Sequence, residues 1–531
     1  MVTMTWIAAI ACGCATNSGN DQREDSAANE APARRPIYVS TMTVTSDCGV
    51  ENMPSSSRGW AGPVGTEISE MPEDVAKNLA IGADRDPVET DWDRVSPGYV
   101  LIEPGAVKQS FLINNDKEIV ARFEGDYYPS YSQLLANGHR VVSSNGQPKG
   151  FPRGGGGKTG CIEEYTASGE LVWRVNLNAD NYINHHDVVK LDNGNVLTLV
   201  WEKVTSDEAV SQGRDPEHVA ENGEFWYEGV LEVNPYTLEV VWEWSIRHHL
   251  IQDFDPGKSN YGVVADHPER LNINVFRQNA DDGTVSADWT HANALDYNPE
   301  LDQIAMSFRP MSEIFVIDHS TSPQQSAGHS GGRYGKGGDF LYRWGNPANY
   351  ARGDESDKLL GGQHDLHWIP VGYPGAGNLL VFNNTVPGAE PAYSAVLELQ
   401  TPLTDTGYEL SDSGVYGPEG PVWSHVPDDP MVFFSPFISG AQRLMNGNTL
   451  ITEGASGRFF EVDTDGNVLW NYMTPYAGYV INPDGTTPQP VGPFVYATFR
   501  STHIPADHPA IAGRNLVPLN PQPPVYTPPE K

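Results

Sequence analysis

The chain has 531 residues, 69 of them acidic and 33 basic, which gives a formal net charge of −36. A surface this acidic argues against nucleic acid as a partner, because binding phosphates requires clustered Lys and Arg. Glycine and proline are abundant, with 53 and 42 residues, and 10% of the chain is aromatic. Such a composition is typical of many short strands joined by tight turns, so we expect an all-β protein.

The N-terminus predicts export. The short apolar run "MTWIAAIACGC" precedes a polar segment, as in a lipoprotein signal in which Cys12 or Cys14 is lipidated. The run is too short to span a bilayer and its first basic residue is Arg23, so a frayed terminus is the alternative. We expect a signal segment over 1–14, a disordered tether over 15–36, and a periplasmic or cell-surface protein whose only membrane contact is a lipid anchor.

Residues 37–97 precede the first repeat and are expected to form a short N-terminal β appendage. In an exported protein Cys48 and Cys161 can form a disulfide, and two free thiols are the alternative.

Internal repetition is the strongest pattern in the sequence. A strand with a Trp or another aromatic residue recurs six times, at 119–125, 171–175, 240–244, 340–345, 421–425 and 468–472. Second strands such as "NGNVLTLV" and third strands such as "EIFVIDH" follow most copies, and the Asn-Gly pairs supply hairpin turns. Such units bury both faces only when they stack radially, which predicts a six-bladed β-propeller over 98–514 and an extended proline-rich tail over 515–531. Seven blades or two packed sheets are the alternatives.

Histidines gather in three segments that stand just before a second strand: "NHHDVVKL" (184–191), "WTHANALDYN" (289–298) and "GGQHDLHWIP" (361–370). Equivalent positions in successive blades point to the same end of the channel. We therefore expect one funnel to contain His291, His364 and either His185 or His186, with Arg309 nearby. Four other histidines lie elsewhere in the pattern, and we interpret them as structural: His248, His249, His319 and His425.

Two chemistries fit three histidines and an arginine. A metal site would use the imidazoles as ligands, with Asp187 and Asp365 behind them. Catalysis on an anionic ester would use one imidazole as the nucleophile, while the others and Arg309 hold the negative oxygens. Arg309 favours the second chemistry, because a guanidinium repels a metal ion and suits sulfate or phosphate oxygens. We therefore expect neither a metal nor another cofactor.

The segments "NHHDVVKLDNGNVLTL", "WTHANALDYNPELDQIAMSFRP" and "QHDLHWIP", with "GNLLVFNN" after the last, resemble the bacterial arylsulfotransferase family. Members of that family are exported six-bladed propellers that do not use the nucleotide sulfate donor. The resemblance covers roughly residues 97–514. Its most specific part is the His-x-Asn motif of His291 and Asn293, with Arg309 eighteen residues after His291.

The resemblance implies a ping-pong transfer of a sulfuryl group from an aryl sulfate ester to a phenolic acceptor. It places the transiently sulfated histidine at His364, the family's arginine at Arg309, and the supporting histidines at His291 and at His185 or His186. We prefer His186, because it precedes Asp187 as His364 precedes Asp365.

Further roles are expected on the same basis. Asp365 and Asp187 would orient the imidazoles. Arg309 and a protonated His291 would hold the sulfuryl oxygens, and the first-cluster histidine would protonate the departing phenolate. Asn293 would bind a sulfate oxygen or serve a turn, and His185 would lie beside the substrate. Three tyrosines at the channel mouth would stack an aryl ring: Tyr127, Tyr128 and Tyr131.

Two other functions stay open at this point. One is a surface propeller without enzymatic activity that binds a partner or a glycan, and the other is a metal-dependent lyase or hydrolase using the same histidines. The sequence names neither the donor nor the acceptor, and it leaves a homodimer open.

Overall fold

The computed structural model describes residues 42–48, 88–105, 108–125, 127–145, 148–151, 156–275, 284–476 and 496–523. They form six four-stranded antiparallel sheets, arranged as the blades of a β-propeller. The predicted fold is confirmed. None of the described helices has both the length and the apolar composition that a bilayer crossing requires.

The first half of the propeller contains three blades. Blade 1 begins with β1 (Gly98–Pro104), β2 (Gln109–Asn114) and β3 (Ile119–Glu124). Blade 2 consists of β4 (Tyr128–Leu134), β5 (Arg140–Asn145), β6 (Gly160–Tyr165) and β7 (Leu171–Asn176). Blade 3 consists of β8 (Tyr182–Lys190), β9 (Val196–Thr205), β10 (Glu224–Asn234) and β11 (Glu239–Ser245).

The second half follows a two-stranded parallel pair, β12 (Leu250–Ile251) and β13 (Leu271–Asn272). Blade 4 consists of β14 (Ala292–Asn298), β15 (Gln303–Phe308), β16 (Glu313–Asp318) and β17 (Tyr342–Trp344). Blade 5 consists of β18 (His364–Trp368), β19 (Leu379–Asn383), β20 (Ala395–Leu399) and, after the hairpin of β21 (Leu403–Thr404) and β22 (Gly407–Tyr408), β23 (Trp423–His425). Blade 6 consists of β24 (Gly440–Arg443), β25 (Thr449–Glu453), β26 (Arg458–Val462) and β27 (Val468–Met473).

The last strand closes the ring. β28 (Thr498–Pro505) pairs antiparallel with β1, so that the C-terminal part of the chain supplies the innermost strand of blade 1. The six inner strands, which surround the channel, are therefore β28, β4, β8, β14, β18 and β24.

In the described part of the chain, helices are few and short. Its α-helices are α1 (Ser206–Ser211) and α2 (Pro323–Ser326). The 3-10 helices are Pro216–His218, Ile246–His248, Val264–Asp266, Arg309–Met311, Pro347–Tyr350, Glu355–Asp357, Pro430–Val432 and Gly454–Ser456.

The six aromatic repeats are the outermost strands β3, β7, β11, β17, β23 and β27. Apolar clusters fill the contacts between neighbouring blades all the way round the ring, so middle strands such as β15 and β16 are buried on both faces. Several outer-strand tryptophans also donate the indole N–H to a neighbouring backbone carbonyl, as Trp344 does to Pro418 at 2.7 Å. Radial stacking thus buries the strands as the repeat predicts.

Part of the predicted N-terminal appendage lies within the described residues. Thr45 forms an antiparallel bridge with Asn176 at the outer edge of blade 2, and Cys48 is disulfide-bonded to Cys161 on β6. Of the alternatives for these two cysteines, the structure has the disulfide. The predicted signal segment and tether, and the end of the predicted tail, lie outside the described residues.

Candidate active site

A cavity of about 180 Å³ opens near the N-terminal ends of the inner strands. Two phenylalanines, Phe437 and Phe499, contribute to its wall together with Glu103 and His186. The other lining residues are Gly105, Pro129, Ser130, Gly157, Ile438 and Ala497.

Irregular backbone brings the histidine segments to this end of the channel. β8, β14 and β18 each lose regular pairing near their start, between His185 and Val188, Ala292 and Ala294, and His364 and His367. His186 and His291 have positive φ angles of 51° and 43°. Bulges redirect side chains next to active sites, and left-handed non-glycine residues cluster at such sites.

His186 lines the cavity, whereas His185 lies behind it. His185 is fully buried, stacks on Trp201 at 3.8 Å, and holds Glu228 Oε1 at 2.7 Å through Nε2. Its Nδ1 is 2.9 Å from Nδ1 of His186. A carboxylate only accepts, so a neutral His185 carries its proton on Nε2 and accepts the Nδ1–H of His186. The Nε2 atom of His186 then carries a lone pair.

The structure agrees with the choice of His186 over His185 as the histidine that faces the cavity. The reason given for that choice, that His186 precedes Asp187 as His364 precedes Asp365, is not supported. The strand register pairs His185 with Leu199 and His364 with Phe382, at corresponding points of β9 and β19, so His185 is the counterpart of His364. The expectation that His185 contacts substrate is wrong, because it is buried between Trp201 and Glu228.

His364 is oriented by Asn384. The Nδ2 atom of Asn384 donates to the carbonyl oxygens of Ser435 and Ile438, both at 2.8 Å, which fixes the amide orientation. Its Oδ1 atom, 2.7 Å from Nδ1 of His364, must therefore accept the Nδ1–H. Nε2 of His364 is left as a lone pair and receives a 3.2 Å hydrogen bond from the Ile438 N–H. Burial, together with the nearby Arg309, lowers the pKa of His364 well below its ordinary value, so the ring is neutral.

His291 has a different partner. Its Nδ1 lies 2.5 Å from Oδ2 of Asp288, and its ring centroid is 4.7 Å from that of His186. A carboxylate on one ring nitrogen stabilises the imidazolium, which suits His291 to bind an anion. Burial, together with the neighbouring His291 and His185, lowers the pKa of His186 well below its ordinary value.

Arg309 follows β15 in a short 3-10 helix, and its backbone N–H donates to the carbonyl of His291 at 3.4 Å. Its Nη2 atom donates to the carbonyl of Pro436 at 3.4 Å, and the guanidinium packs against Gly362, just before His364. The structure thus brings Arg309, His291, His186 and His364 close to one another, and of these four His186 lines the cavity.

The two aspartates have another role than expected. Asp187 Oδ2 and Asp365 Oδ1 lie 2.9 Å and 3.2 Å from Nη1 of Arg500. Their other described contacts are backbone amides, at Val188 and Leu295 for Asp187 and at Ala441 for Asp365. The expectation that they orient the site imidazoles is therefore wrong, since both carboxylates neutralise a buried arginine.

Asn293 is also placed differently from the expectation. It is fully buried, and its Nδ2 donates to the carbonyl of Gln363 at 2.7 Å, next to His364. It joins β14 to β18 rather than facing the cavity. The expected aryl-stacking tyrosines do not line the cavity: Tyr131 packs under Arg500 at 4.9 Å, and Tyr127 donates to the carbonyl of Cys48. Phe437 and Phe499 supply the aromatic wall instead.

Sequence reasoning missed Asn384, Glu228, Arg500 and Glu103. A signal existed for three of them, because a charged residue inside an apolar strand needs a buried partner: Glu228 in "FWYEGVLEV", Arg500 in "YATFRSTHI", Glu103 in "YVLIEP". Burial raises the pKa of Glu103 to about 8, so this carboxyl group is mostly protonated at pH 7.

A family model described as "Arylsulfotransferase (ASST)" matches residues 133–398, which include the three histidine segments and Arg309. No curated protein matches the chain. Similar solved structures include a protein of unknown function from Bacteroides caccae, with 14% identity over 77% of this chain and 99% of that chain and a TM-score of 0.39. A streptogramin B lyase has 10% identity over 78% and 92% of the two chains and a TM-score of 0.33. Apo AztD from Citrobacter koseri has 10% identity over 77% and 98%, with a TM-score of 0.32. At these scores the structural likenesses carry no argument about activity.

Proposed function

The chain belongs to the arylsulfotransferase family, and from that premise we propose that it moves a sulfuryl group from an aryl sulfate ester to a phenolic acceptor through a sulfated His364. Family membership supports aryl sulfotransferase activity in general. The ping-pong course, the sulfohistidine and the independence from a nucleotide donor are the proposed parts.

The state of His364 carries the proposal. Asn384 holds the proton of the ring on Nδ1, so the lone pair of the neutral imidazole is on Nε2. In the first step this lone pair forms a bond to sulfur, and the S–O bond breaks with its electrons going to the aryl oxygen, which leaves as a phenolate. The product is an N-sulfoimidazolium, because Nδ1 keeps its proton against the amide oxygen.

Charged groups around His364 support the transfer. Sulfuryl transfer, like phosphoryl transfer, spreads negative charge over peripheral oxygens, so catalysis rests on positioning and electrostatics. Arg309 and a protonated His291 hold those oxygens. The Ile438 N–H, which donates to Nε2 in the resting site, is freed for an oxygen when Nε2 bonds to sulfur.

His186 handles the proton of the phenol. Its Nε2 lone pair accepts the phenolic proton of the acceptor as the phenol oxygen attacks sulfur, and the N–S bond electrons return to His364. In the reverse direction the same nitrogen gives the proton back to a departing phenolate. A nitrophenolate is stable enough to leave without that proton.

The metal-dependent alternative finds no support at this site. Among the described residues, His186, His291 and His364 do not present three ligand atoms within 4.8 Å of one another, and the nearby cations Arg309 and Arg500 oppose a divalent ion. The alternative of a binding protein without activity is separated by the test below.

The test is the intact mass of the purified protein after a short incubation with p-nitrophenyl sulfate. We expect a gain of about 80 Da, one SO₃ group, with a stoichiometric burst of nitrophenolate, and loss of the added mass when a phenol is supplied. His364→Asn should show neither. His367→Asn is the matched control, because His367 lies on the same strand and its Nδ1 is 3.0 Å from the Asp365 backbone carbonyl. A folded wild type without mass gain or burst would refute the proposal.

Export and lipid anchoring at Cys12 or Cys14 are part of the proposal and rest on the sequence alone. Labelled palmitate incorporated into wild type, and lost when both cysteines are replaced by serine, is the expected result.

A further inference from the structure

A second group of histidines lies away from the cavity, at the outer side of blades 3 and 4. His249 follows β11, and His329 and Asp339 belong to the loop between α2 and β17. One ligand atom from each of the three lies within 4.8 Å of the others. In the described part of the chain this is the one such trio of His, Cys, Asp or Glu side chains.

The surroundings of His249 call for a positive charge between its ring and Asp339. Its Nε2 lies 2.8 Å from the carbonyl oxygen of Ser326, which only accepts, so Nε2 carries a proton. Its Nδ1 lies 2.8 Å from Oδ1 of Asp339. If the His249 ring were neutral, its Nδ1 lone pair would face and repel the lone pair of Asp339 Oδ1. A proton or a metal ion must hold the two together.

His329 converges on the same point. Its Nδ1 is also 2.8 Å from Oδ1 of Asp339, so two imidazole nitrogens approach one carboxylate oxygen. Arg270 Nε lies 3.6 Å from the other oxygen, Oδ2, and leaves Oδ1 to the histidines.

The second contacts of these groups are those of a metal site. Histidine ligands characteristically donate their other ring N–H to a carbonyl or carboxylate, as His249 does to Ser326. The ring of His249 is fully buried and lies parallel to Trp244 at 5.6 Å, which fixes its direction. A Cβ on Gly338 would lie 2.0 Å from the Ser326 oxygen, so glycine is required where the loop passes this contact.

We propose that His249, His329 and Asp339 bind one divalent transition metal ion of the zinc type. Two imidazoles and one carboxylate are a donor set that Zn²⁺ accepts, with a fourth position left for water. Of the three ligands, His329 lines a polar cavity of about 920 Å³, whose wall also includes His248 and Arg270.

The metal would fix the loop of residues 328–338, whose ordering loses much conformational entropy. Residues 328–338 contain six glycines, and four of them, Gly331, Gly332, Gly335 and Gly337, have positive φ angles. Glycine loses the most backbone freedom on folding, so such a loop gains from a cross-link to the rigid blade. The ion is separate from the sulfuryl-transfer site and does not depend on that function.

The test is metal binding by the full-length protein. After treatment with a chelator and its removal, Zn²⁺ is titrated calorimetrically and the bound metal is counted by mass spectrometry. We expect one zinc per chain and a melting temperature that rises with zinc. Co²⁺ should give the visible absorption of a four-coordinate site.

Variants place the ion. His329→Ala should weaken zinc binding by at least about tenfold and abolish the thermal response, and it should fold because the His329 side chain is 47% exposed. His267→Ala is the control, since His267 is a comparably exposed histidine paired with Glu269 at 2.9 Å. His364→Asn should bind zinc as wild type does. Absence of zinc binding in wild type, unchanged binding in His329→Ala, or loss of binding in His364→Asn would each overturn the proposal.

Discussion

Glu103 is a residue in the wall of the cavity that we propose binds an anion. Its pKa of about 8 keeps it neutral at pH 7. Above pH 8 it ionises and repels the sulfate ester, so we expect the KM for p-nitrophenyl sulfate to rise about tenfold between pH 7 and pH 9, or about 1.4 kcal/mol. In Glu103→Gln the KM should stay level over that range. An equal alkaline rise in both proteins would assign the effect to another group.

The same shift has a consequence for stability. The unfolded chain ionises Glu103 near its ordinary pKa of 4.5, whereas the folded protein holds the proton up to about pH 8. The native state binds more protons in that window, so this residue makes folding less favourable as pH rises from about 4.5 to 8. Urea unfolding of wild type and Glu103→Gln across this range should show the difference in slope, and parallel curves would contradict it.

Asn384 controls the tautomer of His364. In Asn384→Ala the ring loses its partner and samples other orientations, so we expect the nitrophenolate burst to slow about 10- to 100-fold, as when the partner of a histidine ligand is removed. Asn378→Ala is the control, because it removes a 2.6 Å hydrogen bond to Glu398 in a turn of the same blade. Equal burst rates in the two variants would mean that Asn384 only stabilises the fold.

At the scale of single residues, the sequence predicts which histidines converge but not which hydrogen-bond partners orient their rings. His364, His291 and Arg309 follow from repeated positions in the blades. Asn384 lies on another segment and joins His364 only through the folded backbone. Asp288 is only three residues before His291, but the histidine pattern does not single it out. The adjacency of His364 and Asp365 misleads, because successive residues along a strand point to opposite sides, and Asp365 in fact turns toward Arg500.

At the scale of strands, the aromatic repeat predicts the blades because it marks one position in each. Every copy is an outermost strand, where a large ring covers the edge of its neighbour, and the Asn-Gly turns fix the hairpins. The closing strand β28 has no copy of the repeat. Its place depends on a pairing between residues about 400 positions apart, such as Gly98 with Pro505, and periodicity does not report such a pairing.

The loop before β6 is built around the ring of His186. Gly157 has a φ of 85°, its carbonyl accepts the His186 N–H at 2.6 Å, and a Cβ there would fall 1.9 Å from Cε1 of His186. Gly157→Ala should therefore displace His186 and slow transfer to the phenol about 10²-fold, the low end of a general base contribution, while the first burst from p-nitrophenyl sulfate persists. Gly194→Ala is the matched control, with a φ of 89° and nothing within 4 Å of the new Cβ. A similar loss of transfer in both would attribute it to backbone strain alone.

At the scale of the whole molecule, Arg500 links the blades through the channel. It lies on the closing strand of blade 1, pairs with Asp187 of blade 3 and Asp365 of blade 5, and donates to the carbonyl of Asn293 of blade 4 at 3.4 Å. Burial lowers the pKa of Arg500, but the two carboxylates more than offset this and raise it above its ordinary value. The ring is thus closed by strand pairing at its edge and by one buried cation at its centre.

Replacing Arg500 should lower the free energy of unfolding more than replacing an arginine at the surface. Arg500→Met leaves two buried carboxylates without a partner, so we expect a loss of about 3–5 kcal/mol in the free energy of unfolding. Arg94→Met is the control, because Arg94 pairs with Asp91 and Asp463 at a side chain that is 52% exposed, where solvent screens the ion pairs and the loss should be small. Burial already raises the pKa of Asp187 against the opposing charge of Arg500. Without Arg500 the folded protein should bind protons more readily than the unfolded chain, so the deficit of the variant should shrink as pH falls from 8 to 5. Urea unfolding of both variants at the two pH values measures this, and a deficit that grows at pH 5 would show that Asp187 and Asp365 are not what Arg500 stabilises.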